Sequence, residues 1–352
     1  MKNSQQWLES LKQQGLITTV AVKDKQEQDP PWYIKTLMGF CGWLAAIFIL
    51  GFLAVGMGSL FDNLFALSIV GTLMIAASYG LLSSSKLEFV AHLGLAVSFA
   101  GQALIAFALF EYGNIPTLWA WLLLTMLHAG LAMCMPSYIH AMLSAYFATF
   151  CLSFFMFEAG AVSYFSSLVL LVVANMWLRE FTFSQQVRKL QSMAYGIVVG
   201  LVQFKTMALL IGQGIFWDQA SLPDVNQWID EGLNVLVLLF ILQQLVRHKT
   251  TILNTGEKCF AAALVVLLCI GSFFAHGIVS SLLIIILGFA TQNKILWVLG
   301  MLSAILNISA YYYLLDISLL DKSFILAGLG TTALLLAYIC NALSNLRADH
   351  EN

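Results

Sequence analysis

The residue in this chain best placed to do chemistry is a lysine inside an apolar run. Lys205 lies in the stretch Met193 to Ile215, near ten residues from one end, or about 15 Å deep at the helical rise of 1.5 Å per residue. A charge left facing lipid at mid-helix costs about 2.5 to 3.5 kcal/mol on insertion scales, so the side chain should face other helices and find an anion there. The alternative is that its long stem snorkels toward the nearer interface. Glu111, Glu158 and Asp316 end other apolar runs on the same side, and each is a candidate partner. Gln102, Gln203 and Asn307 place amides inside apolar runs and, with Lys205, define a candidate intramembrane polar site. Such a set suits either an ion pathway or a packed, interhelically bonded structural charge.

A second constellation is Tyr311, Tyr312, Tyr313, Asp316, Asp321 and Lys322. Three consecutive tyrosines sweep a wide arc of a helix, so at least one must turn its hydroxyl toward a neighbour. Lys322 stands alone among acids, and with Glu111, Glu158, Tyr312, Asp316 and Asp321 it forms a candidate docking or ion-pair site. An ordinary surface pair between Lys322 and either aspartate is worth about 0 to 1 kcal/mol. His92, His128 and His140 show no metal-ligand spacing and read as satisfied buried histidines. No GxSxG, Walker A or HExxH motif is present, so no catalytic residue, metal or cofactor is expected. The six cysteines lie in or beside apolar segments without CxxC spacing and read as buried free thiols.

The elements that position these residues are membrane helices. The chain is 60% hydrophobic and 10% charged, against about 25% charged for a soluble domain. Apolar runs of roughly 20 residues recur from Trp32 to Tyr338, which predicts an all-α polytopic membrane protein of about twelve spans. Two runs, Phe260 to Ala275 and Ile278 to Thr291, are short and share a turn at His276 and Gly277, so a re-entrant pair competes with two full spans. With the N-terminus placed in the cytoplasm, 14 of the 16 basic residues fall on the cytoplasmic side, giving an N-in, C-in topology. The domain division is 1–31, a cytoplasmic segment with a short amphipathic helix around Trp7, Leu8 and Leu11; 32–341, the helical membrane domain; and 342–352, a cytoplasmic tail. Met1 to Pro31 offers no apolar core to a signal peptidase, so the first span is expected to be an uncleaved anchor.

Weaker patterns accompany this plan. Gly80 and Lys86 are spaced like Gly288 and Lys294, and each lysine is followed by a Leu-Gly pair, a mid-helix amide (Gln102, Asn307) and an acid at the far end (Glu111, Asp316), the pattern of a parallel repeat or of chance in apolar sequence. Gly196 and Gly200 form a GxxxG pair that permits close helix approach.

The segment Tyr311 to Gly330, YYYLLDISLLDKSFILAGLG, resembles the C-terminal signature of a bacterial membrane family known as domain of unknown function 4401. The opening Trp7 to Ile17, WLESLKQQGLI, is similar to the start of the family of unknown function 2157. The resemblance implies a bacterial inner-membrane protein, often encoded beside a membrane-anchored protein named for a GDYXXLXY motif, and it brings no established active site. From this comes the expectation of an integral subunit that docks such an exported, anchored partner on its periplasmic face. A secondary transporter of a small solute or ion is the alternative, and an intramembrane enzyme acting on lipid is the third reading. Nucleic acid is not an expected partner, because no extended basic patch exists.

Overall fold

The computed structural model describes residues 32–56, 63–84, 87–111, 115–179, 186–211, 227–248 and 278–314, together with 318–321, 323, 324, 327 and 331. The described helices are α1 (Trp32–Gly56), α2 (Leu64–Ser84), α3 (Glu88–Glu111), α4 (Thr117–Cys134), α5 (Tyr138–Glu158), α6 (Phe165–Leu178), α7 (Val187–Ile211), α8 (Gln227–His248), α9 (Ile278–Ala290) and α10 (Lys294–Leu314). Among the described residues there is no strand. Among the described residues four helices, in α2, α3, α4 and α5, are long and apolar enough to cross a membrane. Phe48, Phe52 and Phe65 stand outward with more than two-thirds of their surface free, a coat suited to lipid and not to water.

Helix ends follow local chemistry. Pro116 precedes α4, where its missing N–H is no loss, and its carbonyl accepts from Trp119 and Ala120. Pro136 forces Met135 into extended backbone and so ends α4; Ser137 then caps α5, its hydroxyl accepting from the His140 N–H. α5 closes in a Schellman turn on Gly160, which supplies the left-handed φ of +67°. The turn from α9 to α10 has the same bonding, but Gln292 occupies the left-handed position at φ 54°. Asn293 follows as the cap of α10, accepting from Ile295 and Leu296.

Helices adjacent in sequence pack as hairpins: α2 with α3, α4 with α5 and α9 with α10. The first depends on glycine, since a Cβ on Gly71 would come 2.7 Å from the Gly101 carbonyl oxygen, leaving no room for any side chain without a shift. The GxxxG pair does the same between distant elements. Gly196 lies against the Met142 backbone and a Cβ on Gly200 would come 2.8 Å from that of Thr149, so α7 crosses α5 at backbone contact.

The core of the second half forms around α6. Phe165, Val169, Leu170, Val173 and Trp177 are buried at helical spacing against Ala194, Val198 and Leu201 of α7, Leu238 and Ile241 of α8, and Leu283 and Leu287 of α9. α6 spans 14 residues and is preceded by a 3-10 turn at Val162–Tyr164. α9 is described over 13 residues; the expected span Phe260 to Ala275 lies outside the described residues, as do residues 1–31 and the C-terminal tail.

Candidate functional site

α6 begins, α7 ends and α8 begins at one end of the bundle, and there three helices bring polar groups together. Lys205 of α7 is 7% exposed and makes an ion pair with Asp230 in the first turn of α8. Asp230 has its other oxygen filled: Oδ1 accepts from the Ser166 hydroxyl of α6 and, at 3.3 Å, from Asn234 Nδ2. Asn234 Nδ2 also reaches Ser166 Oγ at 3.0 Å, and Asn234 and Ser166 are both fully buried. The carboxylate thus has donors from three helices, which is what an ionised group needs away from water. Its place at the start of α8 adds the favourable end of the helix dipole. Glu231, the next residue, is also buried.

Lys205 lies six residues before Ile211, the last described residue of α7, or about 9 Å of helix. The partner is Asp230. Glu111 and Glu158 are exposed at the ends of α3 and α5, and neither pairs with it; Asp316 lies outside the described residues.

The remaining polar candidates sit in separate networks. Gln203 accepts a hydrogen bond from the Tyr146 hydroxyl and so ties α7 to α5. Gln102 donates to Ser98 at 3.1 Å, and Ser98 meets His140 of α5. Asn307 donates to Ser281 at 2.9 Å and Ser303 at 3.4 Å, locking α10 to α9. Gln102 and Asn307 each bond a serine four residues earlier, as the repeat pattern would have it, but Gly80 faces open space whereas Gly288 is pressed on Trp297. The Ser318 hydroxyl donates to Asp321 Oδ2 and accepts from the Asp321 N–H, as an N-cap serine does. Lys322 and the side chains of Tyr311, Tyr312 and Tyr313 lie outside the described residues.

Sequence reasoning named Glu111, Glu158 and Asp316 as candidate partners and missed Asp230, which stands in the first turn of α8. Its position four residues into a helix was the available signal. Two of the expected buried thiols, Cys41 and Cys134, are exposed on their helices, while Cys151 is buried. At the other end of the bundle Lys189 donates to the Met133 carbonyl and Arg188 lies over the Tyr138 ring at 5.8 Å, fastening α7 to the α4–α5 turn. No group of three His, Cys, Asp or Glu residues among the described residues could hold a metal.

Helices with a lipid-suited exterior around buried polar networks define an all-helical membrane protein. The family model described as "Domain of unknown function (DUF4401)" matches residues 31–342, and the chain belongs to that family. The match begins after the Trp7 to Ile17 segment. No curated protein and no solved structure matches.

Proposed function

We propose that this protein is an integral subunit of the bacterial inner membrane, with about twelve spans and both termini in the cytoplasm, that docks an exported, membrane-anchored partner of the GDYXXLXY type on its periplasmic face. One observation carries the reading. Lys205, buried toward one end of the bundle, is neutralised there by Asp230, whereas Glu111 and Glu158 stand exposed at the same end with no ion-pair partner among the described residues. The face is therefore left with negative charge available to a basic partner, which favours encounter and orientation. Purification of the full chain from its native membrane in mild detergent should bring a membrane-anchored partner with it. Capture should weaken in the Glu111→Gln, Glu158→Gln variant, and recovery of the chain alone would overturn the reading.

A second reading, secondary transport, is favoured by the convergence of Lys205, Asp230, Asn234 and Ser166 with buried Glu231 near one face. Lys205→Cys in a background without the six native cysteines separates the two. Protection from an impermeant thiol reagent on both sides supports the subunit; labelling from either side supports a transport pathway.

A further inference from the structure

His140 is fully buried in the first turn of α5, and both of its ring nitrogens face hydroxyls. Nε2 lies 2.8 Å from Ser98 Oγ on α3, and Nδ1 lies 3.0 Å from Ser144 Oγ one turn further along α5. Gln102 extends the chain on α3. Its Nε2 donates to Ser98 Oγ at 3.1 Å, while its Oε1 is buried without a hydrogen-bond partner. Phe99 stacks on the imidazole with ring centroids 5.2 Å apart.

A hydroxyl both donates and accepts, and a neutral imidazole does one at each nitrogen, so the chain can run in two directions. In the first, Gln102 Nε2–H donates to Ser98, Ser98 donates to His140 Nε2, and His140 Nδ1–H donates to Ser144. In the second, Ser144 donates to Nδ1, Nε2–H donates to Ser98, and the Ser98 hydroxyl needs an acceptor. A half-turn of the Gln102 amide supplies Oε1. The unfilled oxygen is thus the group that the second direction requires, whereas a chain serving only helix adhesion needs one direction.

We propose that Gln102, Ser98, His140 and Ser144 form an intramembrane proton relay between α3 and α5. Ser98 Oγ takes a proton from hydronium as its own hydroxyl proton passes to the His140 Nε2 lone pair, and the new Ser98 hydroxyl proton turns to Gln102 Oε1. The imidazolium then gives its Nδ1 proton to Ser144 Oγ as the Ser144 hydroxyl proton passes to water. One N–H bond forms and one breaks, hydronium supplies the proton, water receives it, and no electron moves. The groups around His140 fit passage and not storage. α3 presents the uncharged Ser98 and Gln102; α4 presents His128, whose ring lies 5.5 Å from Phe147; α7 brings Arg188 over Tyr138 and Lys189 to Met133. No carboxylate among the described residues pairs with His140, so a standing imidazolium would be a buried charge without a counterion. The relay does not depend on the docked partner.

The test is nitrogen NMR on full-length protein with 15N-labelled histidine in lipid nanodiscs, His140 being assigned by His140→Gln. The relay requires exchange-averaged ring shifts in the unmodified chain. Gln102→Leu, which removes the Oε1 acceptor, should lock the Nδ1–H form, and Ser144→Ala should lock the Nε2–H form. In proteoliposomes under an imposed potential, proton entry should fall about tenfold or more in both variants. A single fixed tautomer in the unmodified chain, or flux unchanged in both variants, would overturn the proposal.

Discussion

Lys205 and Asp230 are 25 residues apart in the chain and joined as an ion pair between α7 and the first turn of α8, with side chains 8% and 16% exposed. The pair fixes where the end of α7 meets the beginning of α8. Ser166 and Asn234 complete it, so its energy belongs to a network of three helices and not to one contact.

Removing one member of this pair should cost more than removing both. Lys205→Met leaves Asp230 with an uncompensated charge, and Asp230→Asn leaves Lys205 likewise, each for a loss of about 3 to 5 kcal/mol. The double variant should recover most of that loss. Thermal unfolding of the four proteins in one detergent checks it, and additive losses would mean the two charges do not interact.

The α5–α7 crossing should not tolerate a side chain at Gly196. A Cβ there meets the Met142 carbonyl, which is backbone and cannot rotate away. Gly196→Val is expected to destabilise by about 1 to 3 kcal/mol or more, as overpacking does. Gly80→Ala, at a helical glycine with nothing within 4 Å, should be neutral or slightly stabilising by the same unfolding measurement.

Asn293 does two things at once: it caps α10 and bonds the Tyr195 hydroxyl of α7 in both directions, at 2.9 and 2.6 Å. Asn293→Ala should therefore cost about 1 to 2 kcal/mol, the upper part of the range for a lost cap. Asn293→Asp keeps the cap oxygen but loses the amide donor to Tyr195, and should fall between the two. Equal stability of all three proteins would show that the cap contributes nothing here.

Partner capture through Glu111 and Glu158 should weaken as salt rises. Both carboxylates are exposed, and exposed charges more than about 8 Å apart are screened at physiological ionic strength. Pull-down across a salt series should show the charge-neutral double variant less sensitive than the parent. Identical salt dependence would place the contact elsewhere.

The sequence by itself determined the solvent, the class and many of the element boundaries. Apolar runs of membrane length separated by short polar turns leave a helix as the only way to satisfy the backbone in lipid, and the described helices from Trp32 to Leu314 follow those runs. Pro116, Pro136 and Gly160 mark ends because their backbone preferences are local. The Gly196 and Gly200 spacing permitted a close crossing, but did not say that one forms or that α5 is the partner. The side-chain pairings were a different matter. Asp230 for Lys205, Ser98 for His140 and Ser281 for Asn307 join residues on different helices, and each depends on how those helices rotate and cross. In an all-round apolar helix no stripe in the sequence records that rotation; it is set by packing of small residues and by the polar contacts themselves, which exist only once the bundle has formed.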